Sequence, residues 1–280
     1  MKIPFAKYHA LMNDFLVVEK SRVKLPGARI SGLVRKICHR KSGIGADGVL
    51  LLSNSSRADS KVDVYNADGG WAEKSGNGLR IVGLHLNRTG KVKKSLKIEM
   101  GGTISSVKTD QSNNSSAVIT ADIGKPEFSC KRIPVKSKSK YMIYQPLQVG
   151  RIKIPVTCLS MGNPHAVLFV NDFNFDWKQI GSEIEIHQVF PKCTNVEFVK
   201  IISRKKLHLA EWERGVGATG SSGTGAAAAV AAAVVLGAAE RKCQVEFDSG
   251  KLSVNWRKQD NIIELAGPVE FVCEGTFEYL

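Results

Sequence analysis

The sequence predicts an α/β protein of the mixed α+β kind, built as two lobes in which sheet wraps around helix. Three observations carry this expectation. Short alternating or β-rich runs far outnumber helical ones along the 280 residues. The stretch from Ala226 to Ala239 is apolar all round, as a helix enclosed by other structure must be. The four-residue turn S-G-[NT]-G occurs as Ser75–Gly78 and again as Ser222–Gly225, each time opening a helical stretch, 222 − 75 = 147 residues apart and so about half the chain.

Taken from the N-terminus, period-2 alternation and β-branched content predict strands at KIPFAKY (2–8), DFLVVE (14–19), GVLLL (48–52), VDVYN (62–66), LKIEM (96–100) and AVITADI (117–123). The second half continues with IKIPVTCL (152–159), AVLFV (166–170), NVEFVKII (195–202), LHLAEW (207–212), QVEF (244–247), KLSVNW (251–256), NIIEL (261–265) and VEFVCE (269–274). Helices are expected over Leu33–His39, from Asn77 and from Thr224. The polar run Asp110–Ser116 (DQSNNSS) separates two blocks of similar makeup. It puts the N-terminal lobe at 1–114, completed by 270–280, and the C-terminal lobe at 115–269.

Composition narrows the function classes. With 43% hydrophobic and 24% charged residues the chain can build an ordinary core, which excludes disordered and collagen-like classes. The apolar run Ala226–Ala239 falls short of the roughly 20 residues a membrane span needs, so no membrane association is expected. The N-terminus lacks a signal-type apolar core, and a cytoplasmic location is expected. The six cysteines are scattered, with the closest pair 158 − 130 = 28 residues apart; zinc-site and thioredoxin motifs are absent, and reduced core thiols are expected. The net charge of +14 concentrates at Lys131, Arg132, Lys136, Lys138 and Lys140 and at Arg204, Lys205 and Lys206. These clusters lack interleaved aromatics and any nucleic-acid-binding signature, so they read as solvated loop charge and nucleic acid is not an expected partner.

The two S-G-[NT]-G turns are the strongest functional signal. Each puts a hydroxyl and unpaired helix N–H groups at the positive end of a helix dipole, where an anion such as a carboxylate is favoured. If the lobes face one another, the two helix starts grip one carboxylate with a hydroxyl on either side of the bound carbon. The plainer reading is that Ser75 and Ser222 serve as N-caps. The recurrence of one turn half a chain apart favours function.

The residues resemble the diaminopimelate epimerase family. The segments that carry the resemblance are KYHALMNDF (7–15), HRKSGIGADGVLLL (39–52), YNADGGWAEKSGNGLRI (65–81), MGNPHAVLFV (161–170), TNVEFV (194–199) and EWERGVGATGSSGTGA (211–226). The resemblance implies two pseudo-symmetric lobes, each a β-barrel-like sheet wrapped around a central apolar helix, and a homodimer. It implies inversion of an amino-acid α-carbon, LL-diaminopimelate to the meso form in the lysine and peptidoglycan precursor pathway, with no pyridoxal phosphate, metal or other cofactor. Family enzymes use two cysteines, one removing the α-proton and the other supplying a new one. Here both positions are serine, Ser75 and Ser222. An alkyl hydroxyl is far less acidic than a thiol and needs its own activating base.

The family's substrate contacts correspond to Asn13, Asn66, Asn77, Asn163, Asn195, Glu213, Arg214 and Thr224. The resemblance implies that the carboxylate at the reacting centre sits on the N–H groups of Gly76, Asn77, Gly223 and Thr224. Asn66, Asn195 and Arg214 would then take the distal carboxylate and Glu213 would help hold the distal ammonium. Glu213 and Arg214 alone would read as a surface ion pair. Other departures from the family's pattern surround the pocket: Ala10 and Met12 replace glycines, Gly70 and Trp71 replace a Ser-Glu pair, and Lys74 precedes Ser75. Lys74 is a candidate replacement base, although a lysine here is expected to point to solvent; His165 is a second candidate, with a hydrogen-bonded loop histidine as its plainer reading.

Three other functions compete. One is a changed reaction in the same pocket, isomerisation or elimination; another is an amino-acid binder without turnover. The third is dinucleotide binding, since Gly215–Gly220 and Gly43–Gly48 both match G-x-G-x-x-G. Neither match opens a helix directly as that fingerprint requires.

Overall fold

The computed structural model describes residues 1–90, 95–113 and 115–279, without the side chains of 111 and 112. Residue 114, where the sequence ends the first lobe, lies outside the described residues. The chain divides into two compact units, residues 1–122 with 266–280, and residues 123–265. Of the polar run 110–116, residues 110–112 end one strand of the first unit and Ser116 begins the next, and the chain leaves that unit only after Asp122, inside a strand. A crossing point inside a strand carries no polar signature.

The first unit begins with β1 (Lys2–Ala10), β2 (Asn13–Glu19) and α1 (Gly27–Cys38), followed by β3 (Gly48–Ser53), β4 (Ser60–Asn66), β5 (Trp71–Ala72) and α2 (Gly76–Arg88). It continues with β6 (Ser95–Met100), β7 (Thr103–Ser112) and β8 (Ser116–Gly124), and the C-terminal strand, β17 (Ile263–Glu278), returns to it from Ala266. Strands β1 and β2 pair antiparallel, β2 and β3 parallel, β3 and β4 antiparallel, and β4 and β6 parallel. The ladder runs on through β7 to β8, then to β17, which pairs with β1 and closes a barrel of eight strands. Closure leaves none of these eight with an open edge.

Helix α2 is the barrel's filling: every residue from Gly76 to Leu86 is buried. Gly83 lets it approach the wall, since a Cβ there would stand 2.7 Å from Val107 Cγ1. The amphipathic α1 covers the outside with Ile30, Leu33, Val34 and Ile37, which cluster with Val49 and Leu51. Leu50, between them, points the other way, its Cδ2 close against Gly78 of α2. A strand covered on both faces has no reason to alternate, which is why GVLLL is a continuous apolar run.

The second unit holds β9 (Gln145–Val149), β10 (Ile152–Ser160), β11 (Pro164–Phe169), α3 (Trp177–Glu185), β12 (Asn195–Ser203), β13 (Lys206–Glu213) and β14 (Gly217–Thr219). After these come α4 (Gly223–Val235), β15 (Lys242–Phe247) and β16 (Gly250–Trp256). The sheet order is β9, β10, β11, β12, β13, β15, β16, parallel at β11–β12 and β13–β15 and antiparallel elsewhere. The short β14 folds back on the end of β13. Helix α4 packs against β10 to β13, β15 and β16, with Ala226 to Ala233 fully buried. Its small side chains let the surrounding strands close in. The helix stops at Val235, short of the Ala239 read from composition, with Gly237 at φ +71 just beyond.

Elements the sequence left out are α3, β5, β7, β9 and β14, and α1 starts at Gly27 rather than Leu33. NIIEL and VEFVCE are one strand, β17. Pro268 does not interrupt it, and the β1 ladder ends at Glu270, before reaching the proline. Cys38, Cys130, Cys158 and Cys243 are buried thiols, whereas Cys193 is half-buried and Cys273 exposed, against the core reading of all six. Among the described residues no helix is long and apolar enough to cross a membrane.

Candidate functional site

In the first unit Ser75 is the N-cap of α2. Its backbone is extended, φ −137 and ψ 116, and its Oγ accepts from Gly78 N–H at 2.9 Å while its carbonyl accepts from Leu79 N–H at 3.0 Å. Two residues on, within the first turn, Asn77 is 4% exposed. It donates to Asn13 Oδ1 at 2.9 Å, and Asn13 donates to Asp47 Oδ2 at 3.1 Å. Asp47 belongs to a charged group outside the helix start: Arg40 reaches both Asp14 (2.8 Å) and Asp47 (2.6 Å), and Lys7 lies 2.9 Å from Asp14. Burial raises the Asp14 carboxyl, but the Arg40 and Lys7 charges outweigh it and hold the group at about 2. Burial and the neighbouring Asp14 charge push Asp47 up. The pair and its cations thus anchor Asn13, which in turn orients Asn77.

Behind Asn77 lies Arg80, fully buried. Its Nη2 donates to Asn77 Oδ1 at 2.7 Å and its Nη1 to the Gly76 carbonyl at 3.3 Å, both neutral oxygens, while its Nε has no partner. Burial pushes the guanidinium down to about 9, which leaves it charged at neutral pH. A cation sealed at the already positive start of a helix is a strong demand for an anion.

Lys74 departs from expectation. It is half-buried rather than solvent-directed, and burial pushes its ammonium down to about 8 against the opposing pull of Asp122. Met12, at a family glycine position, holds φ +67 in the tight turn between β1 and β2 with its side chain 73% exposed, which shows why glycine suits that position. Asn66 ends β4, half-buried, and its N–H bonds to the Gly70 carbonyl.

The second unit repeats the construction. Ser222 is the N-cap of α4, at φ −127 and ψ 132, and its Oγ accepts from Gly225 N–H at 3.0 Å. Ser222 and Thr224 are buried, with their hydroxyls 3.3 Å apart. Asn163 donates to Thr224 Oγ1 at 3.4 Å and accepts from His165 Nε2 at 2.9 Å; His165 Nδ1 lies 2.6 Å from Glu197 Oε1. His165 is therefore a fully buried strand residue of β11 locked between two partners, not a loop histidine. Asn195 spends its amide on the backbone, donating to the Pro164 carbonyl at 2.8 Å and accepting from Arg214 N–H at 2.9 Å, and so fixes the turn that carries Arg214. Glu213 Oε1 accepts from the Thr219 hydroxyl at 2.7 Å.

Sequence reasoning missed Arg80, Asp47, Glu197 and Glu211. The signal for Glu211 was present, since in KLHLAEWE the inward positions run Leu207, Leu209, Glu211 and a charge at that phase calls for a reason. Gly215–Gly220 forms the β13–β14 hairpin rather than a helix start, and Gly43–Gly48 joins α1 to β3, so neither match has the strand-to-helix context of nucleotide binding. Among the described residues no three His, Cys, Asp or Glu side chains converge to hold a metal ion.

Comparison with known proteins identifies the family and the fold. The family model for diaminopimelate epimerase matches residues 5–129 and 157–272. The diaminopimelate epimerase of Moorella thermoacetica is 36% identical over 275 residues, covering 98% of each chain. That of Carboxydothermus hydrogenoformans is 38% identical over 276 residues, again 98% of each. Among solved structures, a hydroxyproline epimerase from Agrobacterium vitis with bound trans-4-hydroxy-L-proline superposes with a TM-score of 0.72 at 14% identity, over 99% of this chain and 91% of that one.

Proposed function

The chain belongs to the diaminopimelate epimerase family of isomerases, and from that premise we propose that it inverts an α-carbon of LL-diaminopimelate to give the meso form by removing and returning the α-proton. The observation that carries this reading is one device built twice: in each unit an S-G-x-G turn caps a buried helix with a serine hydroxyl at 2.9 or 3.0 Å from the helix N–H two residues into it. Each helix start offers N–H groups to a carboxylate, Gly76 and Asn77 in one unit and Gly223 and Thr224 in the other, and Arg80 supplies a buried cation behind the first. Asn13, Asn77 and Asn163 are held in place by the networks described above. Glu213 takes the distal ammonium, and Arg214, with Asn66, the distal carboxylate, on a turn that Asn195 holds in place.

Ser75 and Ser222 occupy the two proton positions. A hydroxyl there exchanges protons far more slowly than a thiol, and Lys74, next to Ser75 and brought down to about 8, is the base that the hydroxyl lacks. No pyridoxal phosphate or metal enters this chemistry. A homodimer in the cytoplasm, serving lysine and peptidoglycan precursor synthesis, follows from the family. The distal clamp is tested by Arg214→Ala. Affinity for a diamino diacid should fall about tenfold or more while that for a one-carboxylate analogue changes little, because only the former uses the guanidinium fork. Equal losses for both ligands would remove Arg214 from the clamp.

A further inference from the structure

Glu211 is a carboxyl group with no place in the reaction just described. It points inward from β13, 1% exposed, opposite Glu197 on β12 in the strand register. From α4 the backbone of Gly225 presses on it so closely that a Cβ there would come within 2.4 Å of Glu211 Oε2 and 3.2 Å of Glu197 Oε1. His165 on β11 faces Glu197 Oε1, Glu213 follows Glu211 on β13, and Thr219 on β14 lies across from Glu211 and Glu213. Glu185 of α3 is engaged elsewhere, with Trp212 Nε1 and Gly215 N–H. The groups facing Glu211 thus bring two further carboxyls and one imidazole already bonded to Glu197.

The Thr219 hydroxyl stands 2.8 Å from Glu211 Oε1 and 2.7 Å from Glu213 Oε1. A hydroxyl has one proton to donate. Between two carboxylates, one of these short contacts would set a lone pair against a negative oxygen. Both become hydrogen bonds when one carboxyl is protonated and donates to Thr219, which then donates onward. Glu211 is the fully buried member, with Oε2 unpartnered and other carboxyls beside it, so the proton belongs there.

We propose that Glu211 stands as a neutral carboxylic acid that donates to Thr219, so that Thr219 donates to Glu213 and pins that carboxylate, still anionic, as the ammonium-binding group. Glu211 is a positioning residue: it makes this end of the site carry one negative charge rather than two, matched to one ammonium. The purpose rests on the reading of Glu213 given above.

Two measurements test it. Infrared difference spectra between the intact protein and Glu211→Gln at neutral pH should show a protonated-carboxyl carbonyl stretch that the variant lacks. Binding of meso-diaminopimelate should be kept within about threefold in Glu211→Gln, whose amide donates to Thr219 as the acid does, and lost by about tenfold or more in Glu211→Ala. Pimelate, with the same carboxylates and no ammonium, should bind both variants as it binds the parent. The Gln variant carries the test if the Ala variant does not fold. Absence of the band, or a Gln variant that loses the diamino ligand, overturns the proposal. A band in a parent protein that binds no diamino diacid supports the Glu211 proton and overturns the reading of Glu213.

Discussion

A guanidinium sealed in a protein interior costs several kcal/mol to desolvate, and two neutral oxygens return only part of that. Arg80 is in this position, with Asn77 Oδ1 and the Gly76 carbonyl as partners. The account makes an anion at the α2 start its missing counter-charge. Arg80→Met should therefore leave the melting temperature unchanged or raise it while lowering ligand affinity about tenfold or more, measured by calorimetry on the same samples; a destabilised variant with unchanged affinity would make Arg80 purely structural. Lys74 gives a pH prediction. Its neutral amine becomes the major form as pH rises through about 8, so α-proton exchange should climb through that point and level off above it. Lys74→Met should flatten the profile, and an unchanged rise in the variant would assign the base elsewhere. Neither residue's state was legible in the sequence, because burial of Arg80 and Lys74 is decided by the strands that enclose α2.

At the scale of elements, the first turn of α4 is packed tightly against β13. Gly225→Ala drives a methyl against the Glu211 carboxyl, and thermal or denaturant unfolding should show a loss of about 1–3 kcal/mol, a typical cost of overpacking. A neutral result would mean that Glu211 has room to move, which its close setting denies. Helix α4 was legible because an all-round apolar stretch after a capping serine has few other readings, and α2 because the same S-G-x-G turn opens it. Helix α3 was not, since WKQIGSEIE carries a glycine at mid-helix, required there because a Cβ on Gly181 would meet Trp212 Cβ at 2.8 Å. Strand β7 hid for a different reason: its inward positions include Ser105 and Thr109, buried hydroxyls in a run that reads as a polar loop. The glycines of 215–220 matched a phosphate-loop pattern, whereas Gly217–Thr219 pairs with Glu211–Glu213 as strand.

For the molecule as a whole, the half-chain repeat of S-G-[NT]-G was the feature from which most of the architecture could be inferred, and it marks equivalent N-caps in the two units. The segment 270–280, which the sequence assigned to the first lobe, is the end of β17, and β17 joins that unit from Ala266; the individual strand pairings that close the barrel over such a separation leave no local trace. The candidate ligand contacts were legible by resemblance, while among the groups that hold or charge them Asp47, Arg80 and Glu197 came only from packing and Glu211 left its trace in the alternation of β13. The central claim is that Ser75 and Ser222 occupy the two proton positions of a diaminopimelate site. The most direct test is to incubate the protein with LL- and meso-diaminopimelate in deuterated water and follow the α-proton by NMR, beside the Ser75→Cys, Ser222→Cys double variant. The account predicts slow exchange by the serine protein and exchange faster by about 100-fold or more in the double variant, a barrier lower by roughly 2.7 kcal/mol. A folded double variant that exchanges the α-proton no faster than the serine protein would contradict it.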